Sequence, residues 1–290
     1  MAPPRIAFIG AGNMAGSIIG GLLNRGLPAE HIAVSDPVEA ALAALAPRGV
    51  RLAPDNAAAV AGADVVVLAV KPQVMAAVAG ELAPVLATAA PVVVSIAAGI
   101  DCASLQQWLG PDVPVVRCMP NTPALVGAGM AALYAGPGTE DSQRTLAEQV
   151  MAPTGELLWV EEEALLDAVT AVSGSGPAYF FLVMEAMQAA GEQLGLSPAQ
   201  ARRLVGQTAL GAAQMAVGER VEAAELRRRV TSPGGTTEQA IHCLEQGGLR
   251  SLFHRALVAA RDRSAELTRE FGATRSTTKA EEAADHGRIR

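Results

Sequence analysis

The run Arg5-Ile6-Ala7-Phe8-Ile9 ends in Gly10-Ala11-Gly12-Asn13-Met14-Ala15, and Met14, Ile18, Ile19, Leu22 and Leu23 then recur at helical spacing until Gly26. No other stretch restricts the fold as far. A buried strand that turns at once into a helix through G-x-G-x-x-A is the fingerprint of a dinucleotide-binding turn. Gly10 permits the tight turn, Gly12 lets the backbone approach a pyrophosphate, and Ala15 with Gly16 lets helix and strand pack closely. The helix N-terminus offers unpaired N–H groups and a partial positive charge to the phosphates. A glycine-rich turn kept for packing alone is the weaker reading, because strand, turn and helix occur together.

The alternation continues. Short apolar runs predict strands over residues 32–35, 65–70, 91–99, 114–119 and 130–134. Helical spacing predicts helices over 13–25, 40–45 and 73–81, and Asp55 and Asp101 stand where further helices start. Strands alternating with helices imply right-handed crossovers and a doubly wound, mainly parallel sheet, an α/β domain of Rossmann type. Half of the residues are hydrophobic but only 3% are aromatic. The core is therefore built of Ala, Val and Leu, which suits buried parallel strands. Past Val160 the texture becomes helical, over 163–172, 177–194, 198–217, 222–230, 236–246 and 249–271. The expected division is a dinucleotide-binding domain over 1–160, an all-α domain over 161–273 and a flexible tail over 274–290.

A formal charge of −7 argues against nucleic acid and anionic membrane as partners. Arg227, Arg228 and Arg229 read as a solvated helix end. Cys102, Cys118 and Cys243 are too few and too scattered for a disulfide framework or a metal site, and no metal is expected. Free cysteines and an N-terminus without a signal-peptide core point to the cytoplasm. Residues 82–100 carry no charge, but Pro84 and Pro91 fit a helix end, a turn and a buried strand better than a membrane span.

Ser35 and Asp36 close the second strand. An acid there hydrogen-bonds the adenosine ribose and repels a 2′-phosphate, and Pro37, Val38 and Glu39 bring no arginine, a pattern that favours NADH over NADPH. Alternatively, Asp36 only begins an Asp-Pro turn. Ala69-Val70-Lys71-Pro72 and Met119-Pro120-Asn121-Thr122-Pro123-Ala124 close the third and fifth strands, on the rim where open α/β sheets bind ligands. In the helical half, residues 173–179 (SGSGPAY) and 231–237 (TSPGGTT) are small-residue loops opening helices. They offer clustered donors to an anion such as a carboxylate, or serve as caps.

Taken in order, GAGNMA, AVKPQ, SIAAG, RCMPNTPA, AVSGSGPAYFF and TSPGGTT make the chain resemble the pyrroline-5-carboxylate reductases from the first strand to about residue 270. The resemblance implies an oxidoreductase of proline biosynthesis with an N-terminal Rossmann domain and a C-terminal helical dimerisation domain. It implies a homodimer that assembles further, commonly as a pentamer of dimers (a decamer). NADPH is the usual donor and NADH serves some members, so the resemblance and Asp36 pull in opposite directions. Carried over by motif, Gly10, Ala11, Gly12, Asn13, Met14, Ala15, Ser35, Asp36, Asn56, Ala69, Val70, Lys71, Pro72, Ala97 and Ala98 hold the cofactor. Glu163 lies near substrate and cofactor. Ser232, Gly234, Gly235, Thr236 and Thr237 hold the substrate carboxylate, with Thr237 reaching the ring nitrogen.

The implied substrate is a small molecule, a five-membered cyclic imine bearing a carboxylate. Its reduction needs a hydride at the imine carbon and a proton on nitrogen, with the carboxylate fixed so that one ring face meets the nicotinamide. No motif contains histidine; His242, in the helix after TSPGGTT, is by default a surface or interface residue. The proton comes from the Thr237 hydroxyl, from water or with the substrate. A threonine hydroxyl is too weak an acid to act alone. Lys71 is expected to position the cofactor. Glu163 either favours an iminium or is a helix-start acid beside Glu161 and Glu162. A hydroxyacid dehydrogenase of the same architecture would need a lysine base, and residues 165–248 contain no lysine. A cofactor-sensing protein without activity would be expected to lose the TSPGGTT loop.

Overall fold

The computed structural model describes residues 3–219 and 221–286. Strand β1 (Ile6–Ile9) leads into α1 (Asn13–Asn24), followed by β2 (Ile32–Ser35), α2 (Glu39–Ala43), β3 (Arg51–Leu52), α3 (Asn56–Val60) and β4 (Val65–Leu68). Next come α4 (Pro72–Ala89), β5 (Val92–Ser95), α5 (Cys102–Leu109), β6 (Val115–Met119), β7 (Gly129–Ala135), α6 (Asp141–Met151) and β8 (Gly155–Trp159). The helical part comprises α7 (Leu165–Val169), a π-helical turn (Thr170–Gly174), α8 (Gly176–Gln193), α9 (Pro198–Gly218), α10 (Ala223–Arg229), α11 (Thr236–Gln246) and α12 (Leu249–His286).

The strands form one sheet in the order β3-β2-β1-β4-β5-β6-β7-β8. All neighbours are parallel except β6 and β7. Chain order reverses on either side of β1, and its register sets Ile9 beside both Ser35 and Leu68. Successive residues face opposite layers. Ile6 and Phe8 join Ile18, Ile19, Val34 and Val150 on one face, while Ala7 and Ile9 join Val66, Met75, Leu82 and Leu105 on the other. Small β-branched side chains fill the sheet and leave the aromatic residues few places, as the composition implies.

Three elements go beyond the sequence pattern. Strand β3 is two exposed residues, too short for any periodicity. Strand β8 alternates between exposed and half-buried residues at the sheet edge, a weak signal. Helix α6 starts with a capping box between Glu140 and Gln143 and buries Ala147, Val150 and Met151. Helix α4 also runs past the expected stop at residue 81. It tolerates Pro84 because that ring is exposed while Leu82 and Leu86 stay buried. Residues 92–94, inside the uncharged stretch, are buried strand.

By compactness the chain divides into Met1–Ser175 with Ala260–Arg290, and Gly176–Ala259. The sequence pattern puts the cut near residue 160 rather than at Ser175. Helix α12 runs to His286, through a stretch with neither proline nor glycine after Gly272. Its later turns belong with the sheet. Ser264 Oγ donates to Asp167 Oδ1 at 2.7 Å, Leu267 and Phe271 lie against Gly99, and Phe271 packs on the second core cluster. In the other unit, α8 and α9 pack on one another, yet Phe180, Phe181, Leu182 and Leu194 remain more than 60% exposed. Among the described residues, Leu165–Gln193 is long and apolar enough to cross a membrane by length and composition.

Replacing Phe271 with Ala should lower the unfolding free energy by about 2 kcal/mol, less than for a fully buried ring because Phe271 is half-buried. Urea unfolding of the whole chain checks this. A change under about 0.5 kcal/mol would place the end of α12 outside the folded sheet unit.

Candidate active site

The carboxyl ends of β1, β2 and β4 converge on the first glycine turn. Gly10 sits at φ +101°, and a Cβ there would stand 2.8 Å from the Ala69 carbonyl oxygen. Its N–H donates to Ser35 O at 2.8 Å. The turn is thereby pressed onto Ala69 and Val70 on one side and onto the end of β2 on the other. Gly12, the N-cap of α1, has the opposite surroundings: nothing lies within 4 Å of where its Cβ would be. No side chain caps α1, and its first turn holds no acid. Open space above Gly12, with uncapped N–H groups beneath, fits a dinucleotide pyrophosphate. Ala15, 1% exposed, sits in the core as the fingerprint requires.

Asp36 makes the turn and also a contact that its sequence position does not show. Its Oδ1 accepts from Val38 N at 2.8 Å, the Asx turn, and its Oδ2 accepts from Ala11 N at 2.7 Å, which clamps the glycine turn. Ser35 is buried and its Oγ donates to Asn56 Oδ1. Asn56 opens α3, whose N-cap Asp55 accepts from Ala58 N at 2.7 Å. Lys71 is exposed at the N-cap of α4 with Pro72 behind it. Ala97 is buried and Ala98 half-buried in the turn after β5, the strand next to β4. The structure thus brings Gly10, Ala11, Ser35, Asp36, Asn56, Ala69 and Val70 together on one rim.

Glu163 has partners that its sequence position gave no sign of. Its Oε1 accepts from Cys102 N, the first residue of α5, at 2.7 Å and from Arg117 Nη1 at 2.8 Å. Arg117 lies in β6 and is 8% exposed. In the RCMPNTPA motif it carries a signal of its own: an arginine between two apolar pairs of a central strand calls for a buried partner. Burial, and then the Glu163 charge, push the Tyr134 phenol up; Tyr134 lies across from Arg117 in β7. Burial likewise pushes up the Cys102 and Cys118 thiols, which therefore stay neutral.

The SGSG stretch is no loop. Residues 170–174 form a π-helical turn joining α7 to α8, and Ser173 is held by Asn121, whose Nδ2 lies 3.2 Å from both Ser173 O and Oγ. Asn121 Oδ1 accepts from Met130 N at 2.9 Å, and Ser17 Oγ donates to Ala124 O at 2.7 Å. The MPNTPA segment therefore ties α1, β7 and the π turn to one another.

The TSPGGTT loop lies in the other unit. Gly235 is the N-cap of α11, which places Thr236 and Thr237 in its first turn. Ser232, Gly234 and Thr236 are exposed and Thr237 is half-buried. Gly235 N donates to Ser232 O at 3.0 Å, and Gly234 N donates to Glu238 Oε2 at 2.8 Å. His242 is exposed.

Residues 163–267 match the family model for pyrroline-5-carboxylate reductase dimerisation. Residues 5–99 match the model described as NADP oxidoreductase, coenzyme F420-dependent. The pyrroline-5-carboxylate reductase of Pseudomonas aeruginosa is 57% identical over 273 residues, 94% of this chain and 100% of the relative. The chain belongs to the pyrroline-5-carboxylate reductases. A solved structure of such a reductase from Coxiella burnetii covers 92% of this chain and 99% of its own, at 44% identity and a TM-score of 0.88. The Plasmodium falciparum enzyme, solved with NADP bound, matches at 26% identity and a TM-score of 0.81, covering 92% of this chain and 99% of its own.

Exchanging Glu163 for Gln leaves the Arg117 guanidinium without its counter-charge. Stability should fall by about 2 kcal/mol, below the range for a fully buried pair because 26% of the Glu163 side chain is exposed. The urea midpoint reports it, and an unchanged midpoint would mean that Arg117 is solvated.

Proposed function

We propose that this protein reduces 1-pyrroline-5-carboxylate to L-proline with NAD(P)H, the last step of proline biosynthesis. The observation that carries this reading is 57% identity to a pyrroline-5-carboxylate reductase over that relative's full length. The site chemistry supports it. Gly10 and Ala11 make the tight turn that allows close approach, and Gly12, Asn13, Met14 and Ala15 offer backbone donors to a pyrophosphate. Ser35, Asp36 and Asn56 face the adenosine ribose. Ala69, Val70, Lys71, Pro72, Ala97 and Ala98 line the way to the nicotinamide. When bound there, the reduced nicotinamide supplies the hydride.

The substrate end is assigned to Ser232, Gly234, Gly235, Thr236 and Thr237. The first-turn N–H groups of α11, which no N-cap side chain takes, are suited to a carboxylate, beside Glu238 on Gly234 N. Thr237 is assigned the ring nitrogen, holding and orienting it as it takes its proton. Glu163 is assigned to the neighbourhood of substrate and cofactor, its Oε1 held by Cys102 N and Arg117. The exposed phenylalanines and leucines of α8 and α9 are assigned to the partner helices of a homodimer, whose further assembly is a decamer. Neither a membrane nor a nucleic acid is a partner in this reading, and the enzyme works in the cytoplasm.

The experiment is steady-state oxidation of NADH and of NADPH with pyrroline-5-carboxylate, followed at the nicotinamide absorbance. Imine-dependent turnover is expected with at least one of them, and none with either would overturn the proposal. Thr237→Ala should lower kcat/KM for the imine by about 10²-fold, the scale of losing one positioned donor. Wild-type kinetics would remove Thr237 from the site. Asp36→Ala should raise the NADPH-to-NADH ratio of kcat/KM, because a carboxylate no longer opposes the 2′-phosphate. An unmoved ratio would leave Asp36 as a clamp on Ala11 alone.

A further inference from the structure

The ribose corner holds a second acid. Asn56 uses both ends of its amide. Oδ1 accepts from Ser35 Oγ, and Nδ2 donates to Glu81 Oε2 at 3.2 Å. Glu81 stands on α4, exposed, nine residues after the helix begins. Its sequence position shows no link to the cofactor; only the approach of α4 to the start of α3 brings it there. Among the described residues, neither Asp36 nor Glu81 forms an ion pair. Arg51, the cation on neighbouring β3, is turned to the Ala58 and Ala59 carbonyls at 3.0 and 3.2 Å.

We propose that Glu81 is a specificity-determining residue of the cofactor site: through Asn56 it joins Asp36 in selecting an adenosine ribose with a free 2′-hydroxyl over one carrying a 2′-phosphate. The proposal rests on the cofactor reading above. A carboxylate only accepts hydrogen bonds, so Glu81 fixes the Asn56 amide with Nδ2 toward α4 and Oδ1 toward Ser35. The ribose then meets an oriented amide between two negative charges. A 2′-hydroxyl can donate to an acid, whereas a 2′-phosphate, a dianion above its second pKa, is repelled by both acids. The charge is exposed, so its effect is modest and sensitive to salt.

The test is equilibrium binding of ADP-ribose and of 2′-phospho-ADP-ribose by titration calorimetry, which needs no turnover. Wild type, Glu81→Gln and Glu81→Lys are compared. Gln keeps an acceptor for Asn56 and removes the charge; Lys reverses it. At low salt the preference for ADP-ribose should fall about threefold in Glu81→Gln and about tenfold in Glu81→Lys, and the differences should shrink near 0.3 M salt. An unmoved preference in both variants overturns the proposal, as does a parallel loss of affinity for both ligands, which would make Glu81 only a support for Asn56. Failure of the wild type to bind either ligand would overturn it together with the cofactor reading, whereas binding without imine turnover would count against the substrate alone.

Discussion

The site depends on a close approach of backbone to backbone at Gly10. With no Cβ, this residue turns the chain from β1 into α1 directly against Ala69, while its N–H holds the last residue of β2. Because β1 lies between β2 and β4, one turn touches both neighbours. The free N-terminus of α1, the acid after β2 and the turn after β4 are thereby fixed to one another. A side chain at Gly10 would push the helix off the rim and separate all three.

Around that contact, polar side chains serve as ties between segments far apart in sequence. Asp36 holds Ala11, Ser35 holds Asn56, and Asn121 holds Ser173 and Met130. Glu163 holds the start of α5 and neutralises Arg117. Each carboxylate or amide here answers a buried or half-buried donor that would otherwise lose its water without replacement. Asp36 shows how one group combines two tasks: one oxygen closes the turn after β2 and the other clamps the glycine turn, which fixes a negative charge at that end of the sheet.

Much of the fold was legible because local signals agreed. The glycine fingerprint, the apolar runs and the caps at Asp55 and Asp101 appear where expected. The pattern fell short where stability is supplied by neighbours. Strand β3 exists through its pairing with β2, and β8 through its pairing with β7. SGSG looked like a loop because glycine and serine favour loops; packing holds it as a π turn instead. In the site, the fingerprint residues were readable as a run, whereas Arg117 and Glu81 were not, since each works on a residue more than 20 positions away.

By itself the sequence determined the dinucleotide turn, the alternation that makes a doubly wound sheet and the family, because each is written in short runs whose chemistry is local. The tertiary structure decided which distant residues share a hydrogen bond. It gave the end of α12 to the sheet unit, although helical periodicity alone says nothing about which body an apolar face is buried in. It set Glu163 on Arg117 and Glu81 on Asn56. Such pairings follow from how helices and strands cross in space, and no spacing along the chain encodes them.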